Sequence, residues 1–226
     1  MSATIAVRAV LIDLDGTLLE TGPDIVASAN RMLAELGRPT LPEERVSELI
    51  GKGVANLVTR CLQETKSPAD AVALAAALAV FERQYLAGVA DRTRPYPGVV
   101  EGLDLLARMG MPLGCVTNKA GLFTTPLLER TKLAGYFRVV VAGDTVAHKK
   151  PHPQPLLHAA ASLGVAPADL LLIGDSANDV AAARAAGCPV FVVPYGYREG
   201  IALEALAADR VVANLVEAAG SITMAA

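Results

Sequence analysis

The sequence predicts an α/β protein: a Rossmann-like parallel sheet core with an inserted all-helical domain. Three observations predict it. Short unbroken apolar runs, Ala9-Val10-Leu11-Ile12 near the start and Leu170-Leu171-Leu172-Ile173 far downstream, have the length and hydrophobicity of strands buried on both faces. From Tyr96 onward such runs alternate with helical patterns, as in a parallel sheet covered by helices. Between Pro23 and Gly88 helical spacing recurs without a strand-like run, so a helical block interrupts the α/β pattern after its first strand.

Each element follows from local signals. Pro23 suits a first helical turn, Ile25, Ala29, Met32, Leu33 and Leu36 recur at helical spacing, and Gly37 stops that helix. A second helix is expected from Pro42 to Ile50, broken by Gly51-Lys52-Gly53 and resumed from Val54 to Leu62. Pro68 opens the longest candidate, through about Ala87. The α/β part then predicts helices over 99–109, 122–131, 153–163 and 178–186, and strands over 113–116, 139–142, 170–173 and 190–193, with 210–212 and 215–219 closing the pattern. The core is therefore assigned to 1–18 and 93–226, and the helical domain to 19–92. Pro95, Pro97 and Gly98 mark the second joint as a turn or hinge.

Composition narrows the class. With 53% hydrophobic and 19% charged residues, the 226-residue chain can bury a sizeable core, which is mostly aliphatic because aromatics are 4% and Trp is absent. A net charge of −3 argues against a nucleic-acid partner held by phosphate attraction, though a small anion is compatible with local positive charge. Cys61, Cys115 and Cys188 have no metal-ligand or CxxC spacing and read as reduced buried thiols, which fits a cytoplasmic location. No signal peptide is legible, and the Ala-rich run from Ala69 to Ala79 is too short to span a membrane.

The chemistry concentrates at strand ends. Asp13 and Asp15 follow the first apolar run, where open α/β sheets bind their ligands, and lie two residues apart. Thr117-Asn118-Lys119, Lys149-Lys150-Pro151 and Gly174-Asp175-Ser176-Ala177-Asn178-Asp179 follow later strands. Clustered carboxylates need positive charge nearby. Carboxylates, a hydroxyl and a lysine at one sheet edge supply a nucleophile, a proton donor and a cation, which are the needs of phosphoryl transfer. Two unit charges at about 4 Å repel by roughly 4 kcal/mol at an effective dielectric of 20, so a carboxylate approaching a phosphate dianion calls for a cation; hard oxygen ligands suit Mg²⁺.

With these four ordered segments, Asp13-Leu14-Asp15-Gly16-Thr17-Leu18, Val116-Thr117-Asn118-Lys119, Lys149-Lys150-Pro151-His152-Pro153 and Gly174 to Asp179, nearly the whole chain resembles the haloacid dehalogenase-like hydrolase superfamily. It is most similar to the phosphoglycolate phosphatases within it. The resemblance implies a phosphatase acting on a small phosphate ester. Asp13 would be the nucleophile that forms an aspartyl-phosphate, and Asp15 the acid and then the base. Thr117 and Asn118 would bind phosphate, and Lys150, chosen over Lys149 because it directly precedes Pro151, would neutralise the nucleophile. Mg²⁺ would be held by Asp13, the Asp15 backbone carbonyl and Asp175, with Asp179 behind them orienting a metal-bound water or Lys150. Asp179 at a helix start reads equally as a cap. Lys119 and Lys149 read as solvated, Thr17 as a tie within its own loop, and His152 as a loop-shaping residue.

The inserted block resembles the small cap of that superfamily, expected to cover the site, exclude water and choose the substrate. Its Gly51-Lys52-Gly53 turn and Arg60 could meet the carboxylate of a small acid such as glycolate; a plain helix-breaking turn and an exposed Arg explain them equally well. Arg31 reads as surface. The leading expectation is hydrolysis of 2-phosphoglycolate by a monomer or homodimer with no nucleic-acid or membrane partner. Alternatives within the superfamily are a capped sugar-phosphate phosphatase or mutase, a pyrophosphatase, or a phosphonoacetaldehyde hydrolase using Lys52 or Lys66 as a Schiff base. A phospho-acceptor signalling module is the alternative of another class, disfavoured by the helical insertion after the first strand and by Asp15.

Overall fold

The computed structural model describes residues 4–51, 53–65, 71–198 and 200–225. The chain forms two compact units, Met1–Glu20 with Pro95–Ala226, and Thr21–Arg94. The divisions fall two residues beyond the sequence assignment at each joint, at the short strands Leu19–Glu20 and Arg94–Pro95.

The larger unit is built on a six-stranded sheet in the order Val139–Val141, Leu113–Val116, Ala9–Ile12, Leu170–Gly174, Val190–Val192 and Arg210–Val211. Every pairing in it is parallel. Burial explains the sequence pattern. Every residue of the three central strands is buried, hence their unbroken apolar runs, whereas Val140 and Val211 on the two edge strands are exposed. Leu11, Val116, Val141, Leu172, Val190 and Val192 pack in one cluster with Leu156, Ala159 and Ala160 of the helix Gln154–Leu163 and Ala182 and Ala183 of the helix Ala177–Ala186. Aliphatic and Ala side chains thus fill this core without large aromatics. A second small sheet, Ile5–Val7 beside Ile222–Met224, has only partly buried strands of three residues each, which the sequence reading did not assign.

Register positions the chemistry. Ile12 lies opposite Cys115 on one side and Ile173 on the other, and Gly174 opposite Val192. Asp13 and Asp175, just beyond these pairs, and Thr117, just beyond the pair Val116 and Val141, therefore emerge at one sheet edge.

The smaller unit contains the helices Gly22–Glu35, Glu43–Leu49, Val54–Glu64 and Ala71–Ala87. Pro68, expected to open the last of these, lies outside the described residues, as do Lys52 and Lys66. Val26, Ala29, Met32 and Leu33 bury the inner face of the first helix, and Phe81 stacks on Tyr85 within the last. Asp24 is buried and accepts from the Arg92 amide at 2.9 Å, the Thr93 amide at 2.8 Å and the Thr93 hydroxyl at 2.6 Å. Its carboxylate thus ties the beginning of the unit to its end. Among the described residues no helix is long and apolar enough to cross a membrane, and all three cysteines are free and buried.

Candidate active site

Asp13 follows the strand Ala9–Ile12, and its amide donates to the Ile173 carbonyl at 2.9 Å, so the nucleophile candidate is fixed against the neighbouring strand. The chain then turns. Gly16 adopts φ +85°, and a Cβ there would lie 2.4 Å from Asp175 Oδ2 and 2.8 Å from the Tyr197 ring. Gly16 therefore permits both the turn and the close approach of a second acidic loop.

Lys150 is the centre of positive charge. Its Nζ donates to Asp179 Oδ1 at 2.6 Å and to the Val116 carbonyl at 2.8 Å, and stands 2.8 Å from Asp13 Oδ1. The contact with Asp13 is an ion pair without hydrogen-bond alignment, and that oxygen has no other hydrogen-bond partner among the described residues. Two hydrogen-bond acceptors and the paired Asp13 carboxylate around the ammonium make its burial tolerable. Burial works against the charged form of Lys150, but the Asp13 and Asp179 carboxylates outweigh it and raise its pKa above the ordinary value.

Asp179 combines the two readings offered from sequence. Its Oδ2 accepts from the Asp175 amide, the Ser176 amide and the Ser176 hydroxyl, completing a capping box at the start of the helix Ala177–Ala186, while Oδ1 holds Lys150. Asp175 is buried, with Oδ1 accepting from Thr17 Oγ1 at 3.0 Å and Oδ2 from the Tyr197 amide. Thr17 thus binds a separate loop, contrary to its expected role inside its own.

Ligand oxygens of Asp13, Asp175 and Asp179 lie within 4.8 Å of one another, a set able to hold a metal ion. Burial raises the carboxyl of Asp13 well above the usual range; Lys150 opposes the shift and Asp179 adds to it. Burial, with Asp179 and Asp13, does the same to Asp175, against the hydrogen bonds from Tyr197 and Thr17. One lysine does not neutralise three buried carboxylates. The donor set, hard oxygens in a buried site short of positive charge, fits a divalent cation such as Mg²⁺.

Thr117 is buried, its amide donates to the Val141 carbonyl at 2.9 Å, and its Oγ1 accepts from the Lys119 amide at 3.1 Å. Asn118 Nδ2 donates to the Lys150 carbonyl at 2.8 Å, joining two site loops, while its buried Oδ1 has no hydrogen-bond partner among the described residues. Lys119 corrects the sequence reading. Instead of being solvated, its side chain is 9% exposed and its Nζ lies 3.0 and 3.2 Å from the two oxygens of Asp15. A lone lysine in a loop carries no mark of this contact, but its place two residues after Thr117 at a strand end was an available signal.

The segment Tyr195-Gly196-Tyr197 was also missed. Beyond the Tyr197 amide, Tyr195 donates to the Thr17 carbonyl at 3.1 Å and its ring lies 4.3 Å from that of Tyr96. A Cβ on Gly196 would come within 2.2 Å of Asp175 Oδ2. This segment follows the fifth apolar run, and a glycine between two tyrosines at a strand end was the signal.

In the helical unit Gly51 and Gly53 have φ of +134° and +88°, and the Gly51 carbonyl accepts from Asn56 Nδ2 at 3.0 Å. Arg60 Nη1 donates to the Leu49 carbonyl at 3.2 Å, which gives it a bracing role on the preceding helix end. Arg31 is exposed and donates to Ser28 and to the Gln84 carbonyl. His152 Nδ1 accepts from the Gln154 amide at 3.1 Å, a turn-shaping contact.

A parallel sheet with a helical insertion after its first strand, and an aspartate, threonine, lysine and acidic loop at one edge, defines a class of aspartate-based hydrolases. Residues 10–193 match the haloacid dehalogenase-like hydrolases, and the chain belongs to that family. It is 51% identical over 225 residues to a phosphoglycolate phosphatase of Thiobacillus denitrificans, covering 99% of both chains. It is also 51% identical over 207 residues to a plasmid phosphoglycolate phosphatase of Cupriavidus necator, covering 92% of this chain and 89% of that one. Among solved structures, that of a predicted phosphoglycolate phosphatase from Haemophilus somnus superposes with a TM-score of 0.87 at 29% identity, covering 94% and 96% of the two chains.

Proposed function

We propose that this chain is a cytoplasmic Mg²⁺-dependent phosphatase that hydrolyses 2-phosphoglycolate to glycolate and phosphate through an aspartyl-phosphate on Asp13. The observation that carries the reaction class is the Lys150 ammonium 2.8 Å from Asp13, beside the metal-competent carboxylates Asp175 and Asp179. The substrate rests on the 51% identical relatives named above.

In the first step an Asp13 oxygen attacks phosphorus, the ester P–O bond breaks, and Asp15 gives its proton to the leaving alkoxide. In the second, Asp15 takes a proton from water, the oxygen of that water attacks phosphorus, and the acyl-phosphate P–O bond breaks to restore Asp13. Thr117, whose Oγ1 accepts from the Lys119 amide, has its own O–H to offer a phosphate oxygen. Lys150 balances charge on Asp13 and on the transferring group. Mg²⁺, held by Asp13, Asp175 and the Asp15 carbonyl with Asp179 behind them, would supply further positive charge at the phosphate oxygens.

A panel of 2-phosphoglycolate, sugar phosphates and pyrophosphate, assayed with Mg²⁺ and with excess chelator, tests this. The highest kcat/KM is expected for 2-phosphoglycolate, with activity lost under chelation. Preference for a sugar phosphate or pyrophosphate would replace the substrate, and full activity in chelator would remove the metal.

A further inference from the structure

We propose that Lys119 is a specificity-determining residue, reading a negative charge carried on the leaving group next to the ester oxygen. The inference rests on the reading above in one respect: it takes Asp15 as the group that protonates the leaving oxygen.

The Lys119 ammonium sits on both oxygens of Asp15. A carboxyl that protonates the leaving oxygen lies one hydrogen bond from it, about 2.5–3.0 Å. Lys119 is then one side-chain contact beyond that oxygen. In a phosphorylated 2-hydroxy acid a single carbon separates the ester oxygen from the carboxylate, so the carboxylate falls in the same region. An ammonium has three N–H donors and can bridge Asp15 and a second carboxylate together. The side chain is 9% exposed, so its charge acts where water and salt screen weakly.

The backbone of Lys119 is held at three points, which distinguishes it from a surface lysine that drifts onto a nearby acid. Its carbonyl accepts from the Gly143 amide at 2.8 Å and from Thr124 Oγ1 at 3.2 Å, and its amide donates to Thr117 Oγ1 at 3.1 Å. The same residue therefore orders the hydroxyl meant for the phosphate and presents a cation beside the leaving group. The class selected is a phosphate ester whose alcohol bears an anionic group on the adjacent carbon. Ethyl phosphate and neutral sugar phosphates lack that group.

The test compares two substrates in wild type and Lys119→Met: 2-phosphoglycolate and its uncharged amide, 2-phosphoglycolamide. Both kcat/KM values are expected to fall in the variant, because Asp15 loses its partner. The ratio between the substrates isolates the charge contact. Wild type should favour the carboxylate substrate, and Lys119→Met should cut that preference by about tenfold or more, the range of a hydrogen bond to a charged group. Lys119→Arg should restore part of the ratio. An unchanged ratio in Lys119→Met would overturn the inference and shift the contact to another cation. Absence of discrimination in wild type would overturn it as well. Failure of wild type to hydrolyse 2-phosphoglycolate at all is a separate result, which removes the proposed substrate. Residual turnover of the amide shows that the variant is folded, and Lys119→Gln provides a second neutral replacement.

Discussion

Thr17 and Asp175, 158 positions apart in the sequence, are joined by a buried 3.0 Å hydrogen bond. The bond locks the turn carrying the two catalytic candidates to the acidic loop on the adjacent strand. With the Tyr197 amide on its other oxygen, Asp175 is held from two sides. A carboxylate so fixed is ready to bind a cation without first being ordered.

Thr17→Val keeps shape and removes that donor. The variant should lose about 1–3 kcal/mol of stability, as expected for an under-satisfied buried acceptor. It should also bind Mg²⁺ less tightly, by about tenfold, the lower end for a partner that orients a metal ligand. Urea unfolding and calorimetric Mg²⁺ titration measure the two effects. Wild-type values in both would show that the bond does not organise the site.

Gly196→Ala addresses the same carboxylate from the other side. The new methyl would overlap Asp175, and the neighbours that must yield are the carboxylate itself and the loop that caps it. Mg²⁺-dependent thermal stabilisation should shrink sharply, while the melting temperature without Mg²⁺ changes less. Full Mg²⁺ stabilisation in the variant would show that this loop plays no part in the metal site.

Lys150→Met removes the cation between Asp13 and Asp179 and leaves buried carboxylates without their partner. Loss of one member of a buried pair costs about 3–5 kcal/mol. Denaturant unfolding near pH 7.5 should show a loss of that order, together with loss of turnover. A variant as stable as wild type would mean that the ion pairs at 2.8 and 2.6 Å are not maintained in solution.

A pH effect is expected away from the site. Burial works against the charged form of Asp209, but Arg184 at 2.8 Å and the Val190 amide at 2.8 Å outweigh it and hold its carboxyl below the ordinary value of 3.8. A depressed folded value adds stability that is fully present above the unfolded value and is lost as pH falls through the folded one. Asp209→Asn should therefore flatten the loss of stability below pH 3.8. An acid unfolding curve parallel to that of wild type would contradict this contribution.

The fold was legible because its central strands are buried on both faces and so appear as plain apolar runs; Leu113–Val116 coincides with its predicted range. The small second sheet was not: Ile5–Val7 is three residues long and only partly buried, and Ile222–Met224 is interrupted by Thr223. In the site, Asp13, Thr117 and Asp175 could be named as candidates because each directly follows a strand, whereas Lys150 lies well past the strand Val139–Val141 and was named from its place before Pro151. Contacts made across loops could not. That Thr17 reaches Asp175 and that Lys119 lies on Asp15 depends on how loops far apart in sequence meet in space.

The central claim is that Asp13 carries the phosphoryl group. Mixing the protein with phosphate-labelled 2-phosphoglycolate, quenching rapidly in acid and mapping the labelled peptide tests it most directly, with Asp15→Asn included to slow release. Label on Asp13, accumulating in Asp15→Asn and absent from Asp13→Asn, is the predicted result. Turnover in which no protein-bound phosphate forms in either background, or label on another residue, would contradict it.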